Sequence, residues 1–460
     1  MLPVLPVRVY GPRQAVPQGA IVRANVTSKA AGRALDEEEL PETGVAPFPD
    51  LSPFHMGPVT VYPGKSPLDC LLMENGWQYS KLYAVHATAD GAPTAAHARW
   101  MLEGLRADDP RRFPMGRGKK PLCSVWRDRR IGYVEARLLV YVPMYVEAIC
   151  RSGPALRAYK ALRALHARAS AAGRTLALFD YDGYDHEAKR ASLAEVAANP
   201  DKKMGHAFVL AALLEDRLVE VVRDAAELAG LEPPGGRDLP PDLSPFRETE
   251  QLPGLIGGAV VYYRHEFLNR LAARYFELFS PGGAAQIPWE RRTIMMFGRE
   301  AKEGHDTAFF GDPGTSYRYT GKDHAPLAWD TDPTGALREL LEVVRLVTGK
   351  PFNFCLMNFY RPEDSIGKHS DDERDLVEGV GIFSVSLGRA RRFCMEAKGG
   401  TGARGKPVSQ RLAHGSAVWM AGLTQQAYKH YVDAEKMRPG ELGPADRVNL
   451  TFRCVHVRRR

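Results

Sequence analysis

The end of the chain is a succession of short β-like runs, FNFCLMNFY, GVGIFSVSLG, ARRFCME, SAVWM and RVNLTFRCVHV, punctuated by glycine and proline. Runs this short, rich in aromatic and β-branched residues, suit strands and not core helices, and several in a row predict a sandwich or jelly roll. Two longer helical stretches precede them, His265 to Phe279 and Leu337 to Val347. They predict helices that flank one side of the sandwich.

Upstream, Leu231 to Pro245 (LEPPGGRDLPPDLSP) is dense in proline and glycine, a composition that sustains neither a helix nor an interior strand. A linker over 231–250 is expected there, with a C-terminal domain at 251–460. Residues 49–230 mix two signals. Ala95 to Leu105, Ala155 to Ala172 and Ala207 to Ala229 read as helices, whereas Thr175 to Phe179 is a short apolar strand. Residues 1–48 are rich in Pro, Gly and Ala around the acidic run Asp36 to Glu39, and they read as a poorly structured lead-in. The expected fold class is α+β: a C-terminal double-stranded β-helix (jelly roll) with flanking helices, preceded by a separate mixed α/β domain.

Composition excludes several classes of function. With 44% apolar and 25% charged residues the chain is neither fibrous nor disordered. No uncharged apolar run reaches the roughly 18 residues of a membrane helix, and prolines interrupt MLPVLPVRVYGPR, so neither a membrane span nor a signal peptide is expected. Six widely spaced cysteines without a CxxC pair speak for a reducing, intracellular setting and against a zinc ribbon. Lys plus Arg total 62 against 55 Asp plus Glu, a net charge of +7 that suits a polyanionic partner without requiring one.

His369-Ser370-Asp371 puts two metal-competent side chains at i and i+2, on the same side of a strand end. His430, in AYKHYV, supplies a third. Two imidazoles and one carboxylate make the facial triad of a non-haem Fe(II) oxygenase, although an HxD alone also occurs in solvated loops. In the final strand, Arg447, Asn449, Thr451 and Arg453 share one face and Val448, Leu450 and Phe452 the other. The apolar face packs on a core. The opposite face is either an exposed edge or a grip for a small dicarboxylate between two guanidinium groups.

NFYRPEDSIGKHSDDE, SVSLGRARRF, HGSAVWM, TQQAYKH and RVNLTFR, in this order, resemble the AlkB family of Fe(II)/2-oxoglutarate dioxygenases, and FFGDPGTSYRYTG resembles the nucleotide-recognition lid of its DNA-repair members. The resemblance covers about residues 255 to 457. It implies Fe(II) held by the catalytic triad His369, Asp371 and His430, with 2-oxoglutarate and O2 as cosubstrates. It also implies cosubstrate contacts from Asn358, Tyr360, Arg447, Asn449 and Arg453, with Arg447 on the distal carboxylate. Glu373 matches the acidic position that approaches the exocyclic amine of a flipped base, and Tyr317 and Tyr319 would stack on or border that base. Arg389, Arg391 and Arg392 suit phosphate contacts or form an exposed basic turn. The implied activity is oxidative demethylation of 1-methyladenine and 3-methylcytosine type lesions in DNA, with release of formaldehyde. The rival readings are modification of a regulatory base in RNA or DNA, and a nucleic-acid or nucleotide binding protein without turnover.

In the N-terminal half, MENGWQYSKLY spaces Glu74, Trp77, Gln78 and Lys81 along one helix face. By spacing alone this is a half-buried helix with satisfied polar groups. The pattern is similar to the signature of the NADAR domain, and LSPFHMGPV, GRGKKPLCSVW and LFDYDGYD could correspond to further parts of it. That resemblance implies an ADP-ribose-like nucleotide ligand, with Glu74 and Lys81 as working residues.

Overall fold

The computed structural model describes residues 5–16, 21–31, 44–62, 68–296, 299–319, 322–399, 407–435 and 444–457. The chain divides into two compact units, Met1–Ser244 and Pro245–Arg460.

The N-terminal unit is built on a parallel four-stranded sheet in the order Arg8–Tyr10, Thr175–Phe179, Ile21–Asn25, Ala46–Pro47. Three of these strands come from residues 1–48, which corrects the expectation of a poorly structured lead-in. Val7, Val9, Val22, Ala24 and Val26 are all buried there. Their partner strand lies far along the chain, so local composition carries no trace of the pairing. The acidic run Asp36 to Glu39 lies outside the described residues.

The helix Gly153–Ala171 starts where the Ser152 side chain accepts from the Ala155 N–H at 3.3 Å, an N-cap that satisfies one of the orphan donors of the first turn. The expected helix from Ala207 to Ala229 is two helices, His206–Leu214 and Leu218–Leu228. Between them Asp216 takes φ 56°, a left-handed conformation that Asp tolerates better than most residues. An ion pair to Arg163 at 2.9 Å holds the break.

The proline-rich segment is not a bare linker. Leu239 and Leu243 are buried, Arg163 donates to the Leu243 carbonyl at 3.0 Å, and Asp238 pairs with Arg127 at 2.7 Å, all within the first unit. From Pro245 on, the segment serves the second unit: Arg264 pairs with Glu250 at 2.6 Å and donates to the Pro245 carbonyl.

The second unit is a jelly roll of two antiparallel sheets. The larger runs Ala259–Arg264, Ala417–Gly422, Ile382–Gly388, Arg447–Arg453, Phe354–Tyr360, Asp306–Gly311; the smaller runs Ile366–His369, Tyr428–Val432, Arg391–Ala397, Val408–Leu412. Val261, Ile382, Val418 and Met420 from the first meet Phe393, Met395, Leu412 and Val432 from the second in one core. Helix Leu271–Phe279 packs on the larger sheet, and helix Ala336–Thr348 ends at Gly349, whose φ of 63° is the left-handed cap glycine favours. The six cysteines form no disulfide with one another. Among the described residues no helix is long and apolar enough to cross a membrane.

Candidate metal centre

Strand pairing assembles the triad. Ile366–His369 and Tyr428–Val432 are antiparallel neighbours with His369 directly opposite His430, and the two rings lie 4.2 Å apart. Two residues past His369 the chain leaves the strand; there the Asp371 N–H donates to Oε1 of Gln425 at 3.0 Å and the Ser370 hydroxyl to the Tyr428 carbonyl at 2.9 Å. These bonds aim the Asp371 carboxylate at the histidines. One ligand atom from each of His369, Asp371 and His430 lies within 4.8 Å of the others.

The electrostatics favour a bound cation. Burial alone would raise Asp371, but the charge of Arg453 and the two imidazoles outweigh it and hold the carboxyl well below its usual range. Burial, reinforced by His369, pushes His430 down to about 3. A carboxylate and a neutral imidazole are the protonation states a divalent metal needs. Oδ2 of Asp371 and Nδ1 of His430 are buried without a hydrogen-bond partner among the described residues, and Nε2 of His430 is 3.8 Å from that same Oδ2. An unpartnered buried carboxylate oxygen is costly unless a cation meets it. The residues present therefore fit an Fe(II) ion.

Next to the triad, register pairs Asn358 with Asn449 and Tyr360 with Arg447. Both strands turn these side chains into a cavity of about 50 Å³ that also takes in Arg453, Tyr319 and the three triad residues. All five expected cosubstrate residues therefore share one cavity with the triad. Arg453 donates to Oδ1 of Asp371 at 2.7 Å, which puts it at the triad end. Arg447 donates to the Ser386 hydroxyl at 2.8 Å, and burial lowers its pKa to about 10. The exposed-edge alternative for this strand is excluded, since all seven of its residues are buried.

Residues 263–453 match the 2OG-Fe(II) oxygenase superfamily. The DNA oxidative demethylase ALKBH2 of Bos taurus is 38% identical over 170 residues, which are 35% of this chain and 57% of that protein. The Homo sapiens ALKBH2 is 35% identical over 229 residues, 45% of this chain and 83% of that protein. The human alpha-ketoglutarate-dependent dioxygenase alkB homolog 3 is 33% identical over 176 residues, 37% of this chain and 58% of that protein. The chain belongs to the AlkB family. It is an Fe(II)/2-oxoglutarate-dependent dioxygenase, and the superfamily match lies within its second unit.

Around this AlkB centre some expected contacts are placed differently. Tyr317 has no exposed surface, packs on Phe354 with ring centroids 5.5 Å apart, and donates its hydroxyl to Oε2 of Glu373 at 2.7 Å. It thus orients Glu373 and offers no free face for stacking, a correction to the sequence reading. Glu373 is half-buried, and its pKa is raised by burial and by the nearby Asp371. Tyr319 does border the cavity. Arg391 is fully buried and donates to the carbonyls of Asp364 and Arg361, and Arg389 is buried as well, so neither can meet a phosphate; Arg392 is exposed. Two residues escaped the sequence reading. Gln425 sits in the quoted motif TQQAYKH, where its amide reads as unremarkable, and His305 sits in no motif.

The N-terminal unit holds a separate cavity of about 470 Å³. Glu74, Trp77 and Gln78 on helix Met73–Tyr79 reach it together with Lys81 just beyond. Lys81 donates to Oε1 of Gln78 at 2.7 Å, Gln78 donates to Oε1 of Glu74 at 2.8 Å, and the Lys81 ammonium lies 4.6 Å from the Trp77 ring centroid. Burial raises Glu74 and pushes Lys81 down to about 8. Phe54, Lys119 and Asp182, one from each of the three further segments singled out in the sequence, line the same cavity.

Proposed function

We propose that the chain removes methyl groups oxidatively from N-alkylated bases in DNA, of the 1-methyladenine and 3-methylcytosine type, as in repair of alkylation damage. The observation that carries this reading is the continuity of the triad, the two-arginine cavity and Glu373: Asp371 contacts Arg453 at 2.7 Å on one side, and the Tyr317 hydroxyl lies 3.4 Å from Asp371 and 2.7 Å from Glu373 on the other. The relatives named as DNA oxidative demethylases support DNA as the substrate.

His369, Asp371 and His430 hold the iron. Arg453 takes the 2-oxoglutarate carboxylate nearer the triad and Arg447 the distal one, with Asn358 and Tyr360 as hydrogen-bonding partners along the cavity and Asn449, whose NH2 group donates to the Ser384 hydroxyl and the Val385 carbonyl, lining its wall. When bound, Fe(II) with 2-oxoglutarate supplies the activation of O2 that oxidises the methyl carbon, with succinate, CO2 and formaldehyde as products. Glu373, fixed by Tyr317, accepts from the exocyclic amine of the base, which an adenine or cytosine offers and a carbonyl-bearing edge does not. Tyr319 borders the base at the cavity mouth. The test offers the full chain, with Fe(II) and 2-oxoglutarate, methylated single-stranded DNA, duplex DNA and RNA in parallel, and measures formaldehyde and succinate. Formaldehyde from RNA alone would transfer the reading to a modified RNA base.

A second reading concerns the N-terminal unit, and the 470 Å³ cavity with its buried Glu74–Gln78–Lys81 chain favours it. It binds an ADP-ribose-like nucleotide: Trp77 covers a ring or sugar, Lys81 and Glu74 engage polar groups, and Lys119 and Arg112 meet phosphate. Calorimetric titration of the full chain with ADP-ribose, NAD and oligonucleotides, repeated on Lys81→Ala, tests it. Heat from oligonucleotides alone, with none from ADP-ribose or NAD, would overturn the nucleotide reading of this cavity.

A further inference from the structure

His305 is 3% exposed, at the entry to strand Asp306–Gly311. Its Nε2 lies 2.9 Å from Oδ1 of Asn358, and its Nδ1 3.3 Å from the Ser365 carbonyl oxygen. Its ring stacks on Tyr360, with centroids 4.6 Å apart and planes at 26°. One imidazole thus supports two cavity residues from behind while it stays out of the cavity lining itself.

A side-chain amide offers an acceptor on one side and two donors on the other. An anion held between Arg447 and Arg453 can only accept, so Asn358 serves it only with the NH2 group turned to the cavity. We propose that His305 is a positioning residue: it donates Nε2–H to Oδ1 of Asn358, locks that amide with its NH2 toward 2-oxoglutarate, and so sets the affinity for the cosubstrate. The inference rests on the reading that this cavity takes 2-oxoglutarate.

Burial pushes His305 down to about 4, so the ring is neutral near pH 7 and has one proton to place. On Nδ1 that proton would serve the longer contact, and the amide would have to turn its NH2 to His305 and its carbonyl oxygen to the anion, a repulsive pairing. On Nε2 it serves the shorter contact and leaves the amide donors for the ligand, while the unprotonated Nδ1 faces the Ser365 carbonyl oxygen across the longer 3.3 Å, a weaker repulsion than an amide oxygen set against the anion. The stack on Tyr360 holds the ring in the plane this requires.

The test is calorimetric titration of 2-oxoglutarate into the full chain loaded with Mn(II), which occupies oxygen- and nitrogen-donor sites without turnover here. His305→Gln places an amide N–H where Nε2–H stands, whereas His305→Asn reaches only the Nδ1 position. Loss of one hydrogen bond to a charged-ligand site predicts about tenfold weaker binding for His305→Asn, against a change of less than about threefold for His305→Gln. His305→Phe, which keeps the stack without a donor, stands in should the Asn variant melt early, and it should bind as weakly. Equal affinities in the Gln and Asn or Phe variants overturn the proposal while Arg447→Ala still loses binding. If Arg447→Ala binds like the unmodified chain, the cavity reading falls and the proposal with it.

Discussion

Asp371 carries two duties at once. Read from the sequence it is an iron ligand whose loss stops turnover and leaves stability nearly unchanged. The structure adds a second role: it is the buried counter-charge of Arg453, both being under 5% exposed and 2.7 Å apart. Asp371→Ala should therefore abolish succinate formation and also destabilise the metal-free chain, by roughly 3 kcal/mol or more because a buried guanidinium loses its partner. Denaturant melts check the second part, and an unchanged midpoint would show that water or an ion compensates Arg453. Glu373→Ala removes a group that touches Tyr317 and not the ligand atoms themselves. It should spare Mn(II) binding and uncoupled succinate production but lower formaldehyde release from methylated DNA; parallel loss of both would place Glu373 in the metal shell.

Among the elements, the strand Arg447–Arg453 matters most, because it pairs on both sides, with Phe354–Tyr360 and Ile382–Gly388, and both its faces are covered. Its polar face builds the cavity and its apolar face anchors it, so the positions of Arg447 and Arg453 depend on Val448, Leu450 and Phe452. Leu450 has no exposed surface. Leu450→Ala should cost about 2–5 kcal/mol in urea unfolding. It should also weaken 2-oxoglutarate binding, though no cavity contact is removed; a stability loss with unchanged affinity would mean that the neighbouring strands alone hold the arginines.

For the molecule as a whole, a cut between Ser244 and Pro245 should yield two pieces that fold independently, since each unit has its own sheets and core. The position matters: Leu239 and Leu243 belong to the first unit's interior, so a cut before them strips that unit of buried surface. Dealkylation by the 245–460 piece checks the prediction, and an insoluble or inactive piece would show that the two units need each other. Acid sensitivity is a second property of the whole. His430 and His305 are held at about 3 and about 4 in the folded chain, whereas an unfolded histidine titrates near 6.5. Between these values the unfolded chain binds more protons, so stability rises with pH through that window and is lost on acidification. The melting temperature of the metal-free chain should fall from about pH 7 to about pH 5, and less steeply in His305→Gln; a flat profile would contradict the burial of these rings.

The sequence by itself determined the jelly-roll class and put forward His369, Asp371, Arg447 and Arg453 as candidates through short-range regularities, and the resemblance to the AlkB family joined them with His430 into one expected site. A spacing of two residues on an extended strand, an alternation of faces, and a run of short apolar segments survive without knowledge of the partners. Tertiary structure alone decided what depends on residues distant in the chain. The strands in residues 1–48 find their sheet only through Thr175–Phe179, and Tyr317 becomes a support for Glu373 because Phe354 covers its ring. His305 gains a role only because Asn358 and Tyr360 fold against it, and Arg391 is drawn inward by carbonyls of the 361–364 turn. Hydrogen bonding and burial act over ångströms in space, and these partners stand tens of residues apart in the chain.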